Sequence, residues 1–133
     1  MTRTLVVDDQ PAFRAQLCQL LTQAGLVVVG EADDIPQAEA LAQTLQPELA
    51  VVDIMLPGIN GFDGTRRLKA LLPVLRVIAI SAYGNDAESF QTAAVAAGAE
   101  RFVLKDDLEP RLVKDWASGT APEDLVADLH LVH

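Results

Sequence analysis

The sequence predicts an α/β fold, a single domain in which an open parallel sheet of five strands carries helices on both faces. Five short runs rich in Val, Ile and Leu recur along the 133 residues. None of these runs alternates with polar residues, which is typical of strands covered on both faces. The segments between the runs have apolar residues at helical spacing. A repeated βα alternation favours right-handed crossovers and therefore one parallel sheet.

The five strands are predicted at residues 4–7, 26–30, 49–52, 76–80 and 101–104. A first helix is predicted at residues 11–24, where an apolar stripe recurs at helical spacing: Phe13, Leu17, Leu20, Leu21 and Ala24. Cys18, the single cysteine, lies beside this stripe, so we expect a half-buried, unreactive thiol.

Four more helices follow the later strands. The second has Asp33 or Asp34 as its cap and an apolar stripe of Ile35, Ala38, Leu41, Ala42 and Leu45. The third follows the Asn60-Gly61 turn, with a stripe of Thr65, Leu68, Leu71 and Leu72. The fourth, at residues 86–97, is predicted to end at Gly98, the residue type favoured just past a helix. The fifth is predicted at about residues 108–118, with Pro110 in its first turn.

The composition excludes several classes of protein. Half of the residues are hydrophobic, which is too many for a disordered chain. The formal net charge of −9 argues against direct contact with nucleic acid and is compatible with a cation or a basic partner. The sequence has neither an apolar run long enough for a membrane span nor a secretory signal, so we expect a cytoplasmic location.

Polar side chains follow four of the five predicted strands. Asp8 and Asp9 follow the first strand, Asp53 the third, Ser81 the fourth and Lys105 the fifth. Each residue alone is commonly a helix cap, a turn residue or a solvated charge. The carboxyl ends of parallel strands, however, meet at one edge of the sheet, where ligands bind. The coincidence therefore predicts a functional site.

The residue types at this edge suit phosphoryl chemistry. Three carboxylates repel one another unless a cation joins them or some take up protons. Oxygen ligands suit a hard cation such as Mg²⁺, with Mn²⁺ as a substitute. Such an ion neutralises phosphoryl oxygens while a carboxylate attacks phosphorus. A lysine and a serine hydroxyl would bind the same oxygens.

These residues resemble the receiver domains of two-component response regulators over roughly residues 3–118. The matching stretches are Leu5-Val6-Val7-Asp8-Asp9-Gln10, Val52-Asp53-Ile54-Met55-Leu56-Pro57-Gly58-Ile59-Asn60-Gly61, Ile80-Ser81-Ala82, Ala97-Gly98-Ala99 and Phe102-Val103-Leu104-Lys105-Asp106. The resemblance implies a flavodoxin-like (βα)5 three-layer sandwich with strand order 2-1-3-4-5. Residues 1–118 would form the receiver domain and residues 119–133 a C-terminal extension.

The resemblance also implies a role for each acidic residue. Asp53 would be the phosphoacceptor. Asp9 would bind Mg²⁺ directly and Asp8 mainly through water, with Asp53 and the backbone carbonyl of Met55 as further ligands.

A second group of residues would bind the phosphoryl group and transmit the signal. Ser81, Ala82 and Lys105 would bind it, and Ser81 and Phe102 would form a coupled switch pair. The Phe102 ring would turn inward on phosphorylation, which would remodel the face of the fourth helix, fifth strand and last helix. Phe102 lacks the hydroxyl of the commoner Tyr, so a signal carried by that hydroxyl is unavailable.

Two other features bear on this comparison. Asp106 stands where many members have proline, so no proline-locked peptide bond is expected. Met55 and Tyr83 would flank the phosphoryl group, and their bulk predicts slow self-dephosphorylation.

The implied function is signalling rather than enzymatic. The expected partners are a sensor histidine kinase or histidine phosphotransfer protein, and a downstream effector protein or missing output domain. A phosphorylation-dependent homodimer is a further candidate assembly. The sequence leaves open whether it would form through the last helix, where Trp116 is a candidate contact.

The C-terminal extension is either the end of a stand-alone receiver or the stump of a linker. A capping box at residues 120–123 predicts a short helix whose buried side contains Leu125, Val126 and Leu129. His130 and His133 are predicted to be surface residues.

The residues leave two other functions open. A phosphatase of the haloacid-dehalogenase type also uses an aspartate at a strand end, but Met55 occupies the position of its second carboxylate. The other alternative is an interaction module of the same fold that works without phosphorylation.

Overall fold

The computed structural model describes residues 1–117. The predicted capping box, the apolar residues Leu125, Val126 and Leu129, and both histidines, His130 and His133, lie outside the described residues, as does the predicted domain boundary.

The five predicted strands form one parallel sheet. They are β1 (Arg3–Val7), β2 (Val27–Ala32), β3 (Leu49–Asp53), β4 (Arg76–Ser81) and β5 (Arg101–Leu104). Their order across the sheet is β2-β1-β3-β4-β5, which confirms the predicted order. The strands β1 and β3 are neighbours at the point where the chain changes direction across the sheet, and this is the usual ligand position in such folds.

Five α-helices follow the strands. They are α1 (Pro11–Gln23), α2 (Ile35–Leu45), α3 (Gly61–Leu71), α4 (Ala87–Ala97) and α5 (Pro110–Ala117). Asp34 caps α2 and Asn60 caps α3, each accepting a backbone N–H at 2.9 Å. Gly98 ends α4 with a φ of 113°, as its sequence position predicted. None of the helices within residues 1–117 is long and apolar enough to cross a membrane.

The sheet separates two apolar cores, which confirms the three-layer sandwich. Side chains that alternate along the strands contact opposite layers: Leu5 and Val7 belong to one core and Val6 to the other. The first core packs against α2, α3 and α4, and the second against α1 and α5. Both faces of β1 and β3 are therefore buried.

Several sequence-based details differ from the structure. The strand β2 extends to Ala32. The prediction that both of its faces are buried is wrong: β2 lies at the edge of the sheet, and Val27 and Glu31 are exposed. Leu71, predicted on the apolar side of α3, is also exposed. The last helix begins at Pro110 because the chain first makes a 3-10 turn at Lys105–Asp107.

Trp116, the candidate dimer contact, is not at the surface. Its side chain is 0% exposed and packs in the core between the sheet, α1 and α5. Arg76 donates to the Trp116 carbonyl at 3.0 Å, and the Thr2 hydroxyl donates to the Ala117 carbonyl at 3.1 Å. These bonds hold the end of α5 against the sheet, so the indole ring stabilises the domain instead of presenting a surface.

Candidate functional site

The carboxylates of Asp8, Asp9 and Asp53 meet at the carboxyl edge of the sheet. Val7 pairs with Val52 in the β1–β3 ladder, so the residues that follow, Asp8 and Asp53, are brought side by side. One carboxylate oxygen from each of the three aspartates lies within 4.8 Å of the others. Asp8 and Asp53 are buried, whereas Asp9 is exposed. The sheet register thus assembles the predicted acidic group.

The Lys105 ammonium lies between the two buried carboxylates. Its Nζ atom is 2.8 Å from Asp8 Oδ2 and 3.0 Å from Asp53 Oδ2. It also donates to Gln10 Oε1 at 3.3 Å. Because β4 lies between β3 and β5, the long lysine side chain has to cross the end of β4 to reach Asp53. The side chain is only 7% exposed, so water screens these contacts weakly.

The electrostatics of this group favour a cation. Burial raises the pKa of Asp8 and the nearby Asp53 charge adds to this, although Lys105 and the Gln10 N–H act in the opposite direction. Burial would lower the pKa of Lys105, but its contacts with Asp8 and Asp53 outweigh that effect and the pKa is raised. Asp53 shares its single lysine with Asp8, so the cluster of three carboxylates carries excess negative charge.

The donor set fits a hard divalent ion. Asp8 Oδ2 is buried and accepts no directed hydrogen bond, although the ammonium lies beside it. Its other oxygen, Oδ1, is held by the Gln10 N–H at 2.8 Å. The cluster therefore offers carboxylate oxygens, the ligands that Mg²⁺ prefers, with one wall of the site open to water at Asp9.

Residues at the ends of β3 and β4 surround the carboxylate of Asp53. The Met55 N–H donates to Asp53 Oδ1 at 2.9 Å, which orients the carboxylate. Ser81 is fully buried at the end of β4, and its Oγ accepts the Tyr83 N–H at 3.1 Å. Ala82 and the side chains of Met55 and Tyr83 are exposed. The roles predicted for these residues stay predictions, as does that of the Met55 carbonyl.

The predicted switch residue Phe102 is part of an aromatic chain. It lies on β5 with 8% of its surface exposed, and its ring meets Phe90 of α4 edge-on at 6.0 Å between centroids. Phe90 in turn contacts Phe62 of α3 at 6.1 Å. A surface cavity of about 710 Å³ between α4, β5 and α5 is lined in part by Phe102. Phe102, the predicted switch residue, therefore contacts both the core and the expected partner face.

Three residues that position the site escaped the sequence-based prediction. Arg14 donates to the Asp8 carbonyl at 2.6 Å and pairs with Glu31 and Asp33, which ties the acidic loop to β2. Gln10 contacts Lys105, and Gly61 packs against the backbone of Asp53. For Arg14, its position six residues after Asp8 was the signal in the sequence that it could contact the site.

Several known proteins resemble this chain in sequence. A family model described as the response regulator receiver domain matches residues 4–116. The chain is 33% identical over 112 residues to the chemotaxis protein CheY of Thermotoga maritima, covering 84% of this chain and 92% of that protein. It is 35% identical over 126 residues to the probable transcriptional regulatory protein NarL of Mycobacterium tuberculosis, covering 94% and 57%. The chain thus spans about half the length of several relatives, NarL among them, and nearly all of others.

Solved structures show the same fold. The signal receiver domain of NarL from Mycobacterium tuberculosis superposes with a TM-score of 0.78 at 30% identity, covering 89% of this chain and 94% of that one. A CheX–CheY–BeF3–Mg²⁺ complex from Borrelia burgdorferi gives a TM-score of 0.75 at 25% identity, covering 84% and 83%. Because the family model spans residues 4–116 and the strand order agrees, this chain belongs to the receiver domains of two-component response regulators.

Proposed function

We propose that this receiver domain accepts a phosphoryl group on Asp53 in the presence of Mg²⁺ and then changes the face formed by α4, β5 and α5. The observation that carries the proposal is the buried Asp53 carboxylate, held 3.0 Å from the Lys105 ammonium and clustered with Asp8 and Asp9. A carboxylate in this position has an oxygen that can attack phosphorus. Groups beside it can bind the phosphoryl anion that is transferred.

Asp53 is the nucleophile of the proposed transfer. One of its carboxylate oxygens attacks the phosphorus of a phosphohistidine on a kinase or phosphotransfer protein. The new O–P bond forms as the P–N bond breaks, and the imidazole nitrogen leaves with the electron pair. The Met55 N–H on Oδ1 and Lys105 on Oδ2 fix the direction of the carboxylate before the attack.

Asp8, Asp9 and Asp53 would hold the metal, with the Met55 carbonyl as a further ligand. Bound Mg²⁺ would neutralise charge on the phosphoryl oxygens, and Mn²⁺ would substitute for it. Support comes from the buried Asp8 Oδ2, which lacks a hydrogen bond. The related Borrelia burgdorferi CheY was solved with BeF3 and Mg²⁺.

Lys105, Ser81 and Ala82 would receive the phosphoryl oxygens. The ammonium is already beside Asp53 Oδ2 and needs only a small shift toward the new anion. Ser81 Oγ accepts the Tyr83 N–H, so its own proton is free to donate to a phosphoryl oxygen. The backbone N–H of Ala82, directly after β4, would be a further donor.

The output step would couple Ser81 to Phe102. The Phe102 ring is already buried in this structure, so the inward position expected of the phosphorylated domain is accessible to the fold. Phosphorylation would raise the population of that arrangement, because movement of Ser81 toward the phosphoryl group stabilises it. The reshaped face would then bind an effector protein, an attached output domain or a second copy of the chain.

The test is phosphorylation by a small acyl-phosphate donor with Mg²⁺, followed by intact mass. The wild-type protein should gain one phosphoryl group, and Asp53→Asn should gain none. Asp63→Asn, an exposed aspartate of α3, is the matched control and should behave as the wild type.

Other outcomes support the alternatives. A folded protein that stays unmodified, with or without Mg²⁺, would indicate an interaction module that works without phosphorylation. Turnover of phosphate esters would indicate the haloacid-dehalogenase type of phosphatase.

A further inference from the structure

We infer that Phe13 is a positioning residue for the phosphotransfer, holding the Lys105 ammonium in front of Asp53 through a cation–π contact. The inference rests on the proposed function for its consequence, but the contact itself belongs to the resting domain.

The geometry of the contact is specific. Lys105 Nζ lies 4.1 Å from the centroid of the Phe13 ring, inside the distance of about 6 Å at which the ring face attracts a cation. The same nitrogen contacts oxygens of Asp8, Asp53 and Gln10. Asp53 and Gln10 accept hydrogen bonds from the ammonium, Asp8 pairs with it as an ion, and the aromatic face covers a side that carries no acceptor.

The Lys105 side chain is flexible, so a further contact is needed to hold its ammonium at Asp53. Lys105 begins the 3-10 turn after β5, and its four-carbon side chain has many rotamers to lose when it is held at Asp53. A cleft of about 130 Å³ lies beside it, lined by Phe13, Gln16, Leu17, Leu20, Lys105 and Leu108. Without the aromatic ring the ammonium could turn into this cleft and become hydrated. The ring therefore favours the one orientation that faces Asp53.

A purely apolar role for Phe13 makes different predictions. The side chain is half-buried and also packs against the core shared by α1 and α5. Leucine would keep much of that packing but lose the negative ring face, whereas tyrosine would keep the face. Site-specific fluorination of Phe13 would withdraw charge from the ring face and leave the shape of the side chain nearly unchanged.

The first experiment uses the resting protein and NMR. In the wild type the Lys105 ε-protons should be shifted upfield by the Phe13 ring current. The shift should persist in Phe13→Tyr and disappear in Phe13→Leu. Lys105 ε-protons at ordinary positions in the wild type would overturn the contact, whether or not Asp53 is phosphorylated.

The second experiment measures the rate of phosphorylation by the acyl-phosphate donor with Mg²⁺. Phe13→Leu should react about two- to fivefold more slowly, the factors that correspond to the smaller cation–π energies. Phe13→Tyr should stay near the wild-type rate, and rising fluorine content at position 13 should slow the reaction in steps. Val74→Ala, an exposed residue before β4 and away from the site, is the control and should change the rate little.

The NMR shifts and the phosphorylation rates together distinguish the role inferred for Phe13 from the proposed function. A leucine effect without any effect of fluorination would assign Phe13 to packing alone and overturn the inference. A wild-type protein that is never phosphorylated would overturn the proposed function, and the ring-current shift would then decide the contact by itself.

Discussion

Gly61 and Asp53 are in backbone contact across the loop that follows β3. A Cβ placed on Gly61 would lie 2.9 Å from the carbonyl carbon of Asp53 and still closer to its carbonyl oxygen. The Gly61 N–H also donates to the Ile54 carbonyl at 3.0 Å. The start of α3 is thus folded tightly onto the residue proposed to accept the phosphoryl group.

Gly61→Ala should destabilise the domain by about 1–3 kcal/mol, the usual cost of forced overpacking. The cost arises because the opposing atoms are backbone, which cannot move aside as a flexible side chain can. Urea unfolding would measure it. Gly84→Ala is the control, since a Cβ there meets Leu104 at an ordinary 3.4 Å. Equal stability of the two variants would contradict the contact.

Asp8→Asn should raise the free energy of unfolding when no divalent ion is present. Burial raises the pKa of Asp8, so the fold disfavours its charge, and asparagine keeps the oxygen that accepts the Gln10 N–H. Mg²⁺ at a hundred times its Kd should stabilise the wild type by about 2.7 kcal/mol and the variant much less. Thermal unfolding with and without Mg²⁺ checks both effects. Asp34→Asn preserves a helix cap and should change neither the stability without metal nor the stabilisation by Mg²⁺. If Asp8→Asn is less stable than the wild type without metal, the fold does not disfavour the Asp8 charge.

The edge-on contact of Phe90 and Phe102 should give a coupling energy of about 0.5–1.5 kcal/mol. A double-mutant cycle of Phe90→Leu and Phe102→Leu, measured by urea unfolding, isolates this value from the loss of apolar burial. If the two single effects simply add, the rings do not interact and α4 is not linked to β5 through them.

Met55→Ala and Tyr83→Ala should each shorten the lifetime of the phosphorylated protein several-fold. Both side chains are more than half exposed beside Asp53 and Ser81, where their bulk would limit the approach of water. The lifetime is followed by intact mass after removal of the donor. Val74→Ala, an exposed residue before β4 at the opposite edge of the sheet, should leave the lifetime unchanged. Unaltered lifetimes in both site variants would refute a shielding role.

The thiol of Cys18 should be alkylated slowly in the folded protein. Burial raises its pKa to about 11 from 9.0, with Glu31 adding to the effect, so the thiolate fraction at pH 8 is lowered by about a hundredfold. The folded state keeps a proton that the unfolded chain releases above pH 9, so this residue's contribution to stability falls between pH 9 and 11. Iodoacetamide kinetics from pH 7 to 10, with the urea-unfolded protein as reference, test this. Similar rates in both states would contradict the shift.

Much of the fold could be predicted from local patterns in the sequence. The five apolar runs indicated the strands, and Asn60 and Gly98 marked helix ends because their side chains and backbone preferences act locally. The edge position of β2 was not visible in its composition, since an apolar run does not reveal whether a second helix covers it. The strand order came with the family resemblance, which carries tertiary information that periodicity lacks.

The sequence by itself determined which chemical groups end the strands, and with them the acidic edge at Asp8, Asp9 and Asp53. Only the tertiary structure decided how these groups face one another. It buries Asp8 and exposes its neighbour Asp9, and it brings Lys105 to Asp53 across 52 residues of chain. It also places Phe13 against that lysine, although the helical stripe marked the phenylalanine only as apolar. The reason is physical: local patterns specify the direction of a side chain relative to its own element, while contacts depend on the packing of elements distant in sequence.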